Sequence, residues 1–195
     1  MEVLYDDTDL VVCIKETGID SEKQLPELLS KQLGGEIYPL HRLDINVGGV
    51  MVYARNKKTA ALFSKNIQDG KLIKEYVAMV HGNIEGEGIM EDLLFKDSRK
   101  NKVFVVKKER KGVKQAKLAY NVLKSGEQSL VHIRLYTGRS HQIRVQFASR
   151  NHPLIGDHKY GSRSELKEPM LYSCKITFPY KGKERSYEYY PEWAK

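Results

Sequence analysis

The chain has 195 residues, enough for one substantial domain with a real core, and its 33 lysines and arginines against 25 acidic residues leave a formal net charge of +8. A surplus of that sign admits a polyanionic partner such as nucleic acid, although solubility alone is the alternative. Two cysteines without CxxC spacing, Cys13 and Cys174, argue against a zinc knuckle or redox pair. The absence of an apolar run near the roughly 20 residues of a membrane span, and of a signal peptide after Met1, adds to the expectation of a cytoplasmic protein without membrane association.

Val3–Tyr5 and Leu10–Ile14 read as short strands around the acidic turn Asp6-Asp7-Thr8-Asp9. Leu25, Leu28, Leu29 and Leu33 recur at helical spacing, so residues 24–33 are predicted as a helix that Gly34-Gly35 stops. Residues 38–49 have no period and read as a loop, ahead of the buried strand Val50–Ala54. Asn56 can cap a helix over 57–68 with Ala60, Phe63 and Ile67 on one face, and Gly70 closes it.

A strand over 72–81 carries Tyr76. Residues 84–112 alternate apolar runs with charge, and Lys100, Lys102, Lys107, Lys108, Arg110 and Lys111 make this the start of the most basic stretch. That stretch is either a solvated hairpin surface or a contact with a nucleic-acid backbone. Residues 116–123 and 130–136 are strand-like, the second with Val131, Ile133 and Leu135 on an apolar face. Ser140 is predicted to cap a short helix through Ser149, and 171–178 form a last strand that Pro179 ends. Many strands with few helices predict an α+β fold with a mixed, largely antiparallel central sheet and flanking helices, filling residues 1–195 as a single domain.

Two segments stand out as carriers of chemistry. Leu40-His41-Arg42-Leu43-Asp44, followed by Gly48-Gly49, places a carboxylate and two potential cations in a loop against a buried strand. Read alone, Arg42 and Asp44 are as readily a surface ion pair. Gly138-Arg139-Ser140-His141-Gln142-Ile143-Arg144 precedes His152-Pro153-Leu154-Ile155-Gly156-Asp157 and Tyr160-Gly161. A helix starting at Ser140 would put Arg144 on the same face and offer its N-terminus to a phosphate. Asp157 is expected to make turn hydrogen bonds. Tyr76 by its spacing is a core tyrosine, and His41 and His141 are hydrogen-bonding residues that shape their loops. No spacing among His41, Asp44, His141 and His158 demands a metal.

HRLD before an apolar strand, KEYVAMVHG some thirty residues later, then GRSHQIR and HPLIGDHKYG, resemble in order the RluA-type pseudouridine synthase family. The opening VLYDDTDLVVCIKETG also looks like the start of that family's catalytic domain, so the likeness runs from about Val3 to Phe178. It implies the pseudouridine synthase fold and a cofactor-free, metal-free isomerisation of uridine in structured ribosomal or transfer RNA. Asp44 falls on the family's catalytic aspartate, Tyr76 on the tyrosine that packs against the base, and Arg144 on the arginine that pairs with the aspartate. Arg42 falls on the arginine that displaces the target base. His41, Arg139, His141, Lys107 and Lys108 complete the predicted RNA-contacting set. The alternative is a non-catalytic RNA-binding or folding factor on the same scaffold, and a monomer is expected in either case.

Three positions depart from the family's pattern. Val47-Gly48-Gly49 stands where Thr-Ser-Gly is usual, which predicts lost hydroxyl bonds and a looser Asp44 loop. Gln146 stands where a histidine is common, and Lys15-Glu16 replaces Lys-Pro at the end of the early strand.

Overall fold

A computed structural model describes residues 1–195. The chain clusters into two compact units, one of residues 1–74 with 172–195 and one of residues 75–171. The strands of both are mostly antiparallel, and three α-helices accompany them, as the sequence pattern predicts.

The first unit is built on β1 (Val3–Asp6), β2 (Leu10–Lys15), β3 (Tyr38–Pro39), β4 (Gly48–Ala54), β10 (Leu171–Tyr180) and β11 (Lys183–Glu188), with α1 (Gln24–Leu33) and α2 (Lys57–Gln68). β2 pairs antiparallel with β4, Cys13 opposite Met51, and β4 pairs parallel with β10 at Gly48–Tyr172 and Gly49–Ser173. Strands β2 and β4 are buried along their whole length, which explains their unbroken apolar sequences. The core gathers Leu10, Val12, Val50, Val52, Phe63, Ile176 and Phe178. Phe63 meets Phe178 edge-on at 5.2 Å, and its complete burial stabilises by about 2–3 kcal/mol.

Helix α2 starts as expected, with the Asn56 side chain accepting the Thr59 N–H. Its buried residues are Thr59, Phe63 and Asn66, while Ala60 and Ile67 flank that line half-buried. In α1, Leu25 and Leu29 are buried and Leu28 faces outward. β3 and β11 arise where no strand is expected. β10 also runs through Pro179 instead of ending there. Lys181 (φ 49°) and Gly182 (φ 75°) form a two-residue hairpin turn, so Tyr180 and Lys183 exchange the flanking hydrogen bonds. Pro179 opposite Glu184 is then a non-bonded pair, and its missing N–H costs the β10–β11 ladder nothing.

The second unit places β5 (Ile73–His81), β9 (Gln128–Leu135), β8 (Val113–Lys124), β6 (Glu87–Asp97) and β7 (Lys102–Val106) side by side in that order. α3 (Gln142–Ala148) and a 3-10 turn at His158–Tyr160 complete it. Leu94, Val103, Ala116, Val145 and Tyr160 form a core cluster. β9 alternates as expected, with Ser129, Val131 and Ile133 buried. Both cysteines are buried and neither forms a disulfide. No helix is long and apolar enough to cross a membrane.

Candidate active site

His41, Arg42 and Asp44 share one loop of the first unit, and that loop is tied down residue by residue. The His41 ring accepts the Val52 N–H at Nε2, 3.2 Å away. The Ser21 hydroxyl accepts from Leu43 N (3.2 Å) and donates to Leu43 O (3.0 Å), and Tyr53 in turn donates to Ser21 O at 2.8 Å. Asp44 O accepts from Val47 N at 3.0 Å, closing a turn. Ile45 O accepts from Gly18 N at 2.7 Å and from the Lys15 ammonium at 3.1 Å, and Val47 O takes a second Lys15 bond at 2.8 Å. Leu43 and Val47 face the core on either side of the half-buried Asp44.

The loop is therefore not loosened by its glycines, contrary to the expectation drawn from Val47-Gly48-Gly49. Gly48 and Gly49 are the first residues of β4. Gly49 has φ +131°, and a Cβ there would lie 2.3 Å from Ser173 O. The glycine lets the parallel strand β10 come close, and the Ser173 hydroxyl donates to Val50 O at 3.1 Å.

His41 is neutral over the physiological range. Burial, with a smaller contribution from the Lys74 charge, pushes its pKa down to about 3. With Nε2 accepting, the proton sits on Nδ1, which is buried without a hydrogen-bond partner. The ring thus shapes the loop as its sequence position suggests. Arg42 projects outward, its side chain 63% exposed, and meets Glu22 at 2.8 Å. The surface ion pair is therefore real, but it joins Arg42 to Glu22.

In the second unit α3 starts later than Ser140 predicts. Its cap is His141, in the left-handed conformation (φ 50°) and without a side-chain capping bond. The Gln142 side chain instead ties down the loop before the helix, accepting from Arg139 N at 3.0 Å and Thr137 Oγ1 at 2.7 Å. At seven residues α3 is too short to present the phosphate-binding N-terminus expected of a longer helix. Six of those seven residues are buried, because both the apolar and the amide side chains turn inward.

Arg144 is one of them. Its Nε donates to Asp157 Oδ2 at 2.6 Å and its Nη2 to Oδ1 at 2.8 Å, a two-pronged buried ion pair. Asp157 thus does more than the turn bonding predicted for it. Tyr160 lies under the guanidinium, ring centroid 5.2 Å from Cζ. The Tyr160 hydroxyl accepts the Val103 N–H at 2.9 Å and bonds His141 Nδ1 at 2.8 Å. Sequence reasoning assigned Tyr160 nothing. Its place in the HKYG run beside a buried aspartate is visible only with β7 folded against it.

Arg139 is exposed and its Nε donates to Gln115 O at 2.9 Å. Lys107 and Lys108 are exposed between β7 and β8, apart from the α3 cluster in sequence and in bonding. Tyr76 is buried in β5, as a core tyrosine would be. Gln146, at the departure from histidine, donates to Asp92 Oδ2 at 2.7 Å and to Met90 O, while its own carbonyl oxygen is buried without a hydrogen-bond partner. No three His, Cys, Asp or Glu side chains gather in a way that could hold a metal ion.

The family model described as RNA pseudouridylate synthase matches residues 9–149. The chain is 30% identical over 196 residues to a ribosomal large subunit pseudouridine synthase D of Borreliella burgdorferi, covering 89% of this chain and 60% of the relative. It is 29% identical over 180 residues to a tRNA pseudouridine synthase C of Haemophilus ducreyi, covering 83% and 74%. The solved human RNA pseudouridylate synthase domain containing 1 superposes with a TM-score of 0.84 at 22% identity, over 97% of this chain and 83% of that one, a likeness of fold. The chain spans between 57% and 62% of the length of three bacterial relatives that it matches.

Proposed function

Because the chain belongs to the RNA pseudouridylate synthase family, we propose that it isomerises uridine to pseudouridine in structured RNA, with Asp44 as the catalytic carboxylate. The substrate class is ribosomal or transfer RNA, the two named for the relatives from Borreliella and Haemophilus. The observation that carries the role of Asp44 is the loop itself. Its backbone is bonded at 43, 44, 45 and 47 and the His41 ring accepts the Val52 N–H, while Asp44 itself stays half-exposed. A carboxylate that reacts at one atom of a large substrate needs such a fixed mount.

The reaction balances within the uridine. The C1′–N1 bond breaks, C1′ joins C5, and the hydrogen leaves C5 while N1 gains one. No redox partner is needed, so the reading takes the reaction to run without a cofactor; it also takes the protein as a cytoplasmic monomer with its catalytic domain formed by residues 1–195. A base within a helix must leave the stack to turn, and unstacking costs a few kcal/mol. Arg42, exposed on the same loop as Asp44, is the side chain that would fill the vacated space. Tyr76 would pack on the extruded uracil and Arg144 would act on the carboxylate. Arg139, His141, Lys107 and Lys108 would contact the RNA backbone, with His41 supporting the loop from behind.

The test uses ribosomal and transfer RNA transcripts labelled with tritium at uridine C5, which the reaction releases. Wild-type protein is expected to release tritium. Asp44→Asn should release none above background while binding the same RNA within about three-fold. Normal turnover by Asp44→Asn would overturn the mechanism, and RNA binding without any release by the wild type would favour the non-catalytic RNA-binding factor.

A further inference from the structure

Lys15 is the largest charged group sealed in the first unit, with 0% of its surface exposed. Its Nζ bonds three backbone carbonyls, Glu16 O at 3.0 Å, Ile45 O at 3.1 Å and Val47 O at 2.8 Å. A neutral amine has only two N–H bonds to give, so three carbonyl acceptors require the ammonium. A buried cation is costly unless every hydrogen is used and an anion lies near. Two of its three acceptors belong to the residues one and three places after Asp44, the acidic residue of that loop.

We propose that Lys15 is the positioning residue of Asp44: its ammonium, bonded to the carbonyls of Ile45 and Val47, fixes the turn that presents the carboxylate. This rests on the reading of Asp44 as the catalytic carboxylate. Glu16, where a proline is usual, still serves through its carbonyl, which either residue supplies. Ile45 shows what the clamp does to the chain. Its carbonyl is held by Lys15 and Gly18 together, yet its side chain is 54% exposed. The main chain is fixed there while the side chains of Arg42 and Ile45 stay exposed.

The experiment compares Lys15→Met and Lys15→Gln with wild type and Asp44→Asn in tritium release. Methionine keeps the length and removes charge and donors, while glutamine keeps two donors and removes the charge. Both are expected to lose at least 100-fold in kcat with KM for RNA within about three-fold. Amide hydrogen exchange at Val47, whose N–H bonds Asp44 O, should speed up at least ten-fold in both variants. That readout stands even for a protein that turns over no RNA. Unchanged exchange at Val47, or a kcat within three-fold of wild type, would overturn the proposal. So would a loss carried by KM for RNA instead of kcat, which is what a disordered binding surface gives. Should Lys15→Met fail to fold, the glutamine variant is judged by the same outcomes. Wild-type turnover that Asp44→Asn retains sinks the catalytic role of Asp44, whereas failure of the Lys15 effects alone sinks only the clamp.

Discussion

The loop of Asp44 and the segment of Arg144 are both fixed, but through different parts of the chain. Around Asp44 the bonds run to main-chain atoms: Lys15, Ser21 and Gly18 address the carbonyls or N–H groups of residues 43, 45 and 47. Around Arg144 the bonds run between side chains, the guanidinium gripping Asp157 and resting on Tyr160. Main-chain anchoring is spread over several modest bonds and tolerates change in the side chains it presents. Side-chain anchoring concentrates its bonds in one buried pair, and removing either partner breaks two charge-assisted bonds at once.

The largest effect should follow from breaking that pair. Asp157→Ala removes two charge-assisted hydrogen bonds to the buried Arg144 guanidinium and is expected to cost about 3–5 kcal/mol in urea unfolding. Ser21→Ala, which removes two of the loop's bonds, should cost only about 1–2 kcal/mol. A larger loss from Ser21→Ala than from Asp157→Ala would reverse the comparison.

A middle-sized effect concerns His41. Its folded pKa of about 3 lies below the ordinary 6.5. The unfolded chain therefore takes up a proton first as pH falls, and the stability present above pH 6.5 drains away toward pH 3. The wild type should lose on the order of 1–2 kcal/mol at this site between pH 7 and pH 5. His41→Asn, which does not titrate, should flatten that slope in denaturation curves taken at several pH values. A slope unchanged in the variant would mean that the ring is solvated and the loop is not sealed at that end.

The smallest effect should come from the exposed basic residues, which neither anchoring scheme includes. Lys107→Ala with Lys108→Ala should weaken RNA binding by about three- to ten-fold and lower the slope of log affinity against log salt by ~1–2. Equal salt slopes for wild type and variant would remove these two lysines from the interface.

How much of this the sequence disclosed depends on how local each cause is. The Asn56 cap, the α2 core line around Phe63 and the alternation of β9 rest on neighbours within a few residues, and they were legible. The position of the Asp44 loop was legible too, from the order of the motifs. Its rigidity was not, because Lys15 reaches carbonyls 30 and 32 residues away. In LVVCIK it reads only as the polar end of a strand. Asp157 looked like a turn residue because its partner lies thirteen positions back, on a helix whose own start was misplaced. Ser140 fits a capping pattern, yet the helix begins at Gln142, after a left-handed His141 and with no side-chain cap bond. β11 escaped notice because its sequence KERSYE is nearly all exposed, so no apolar alternation marks it.

The parallel pairing of Gly48 and Gly49 with Tyr172 and Ser173 also sets a timetable for synthesis. The second unit is one continuous stretch, residues 75–171, and all of it has been translated before the last strands of the first unit exist. The first unit can pair β4 with β2 and β3 early, but Gly48 and Gly49 stay without their β10 partners until residues 172–195 have left the ribosome. Until then the face that Gly49 keeps open for Ser173 is a bare strand edge, and the chain completes its oldest segment last.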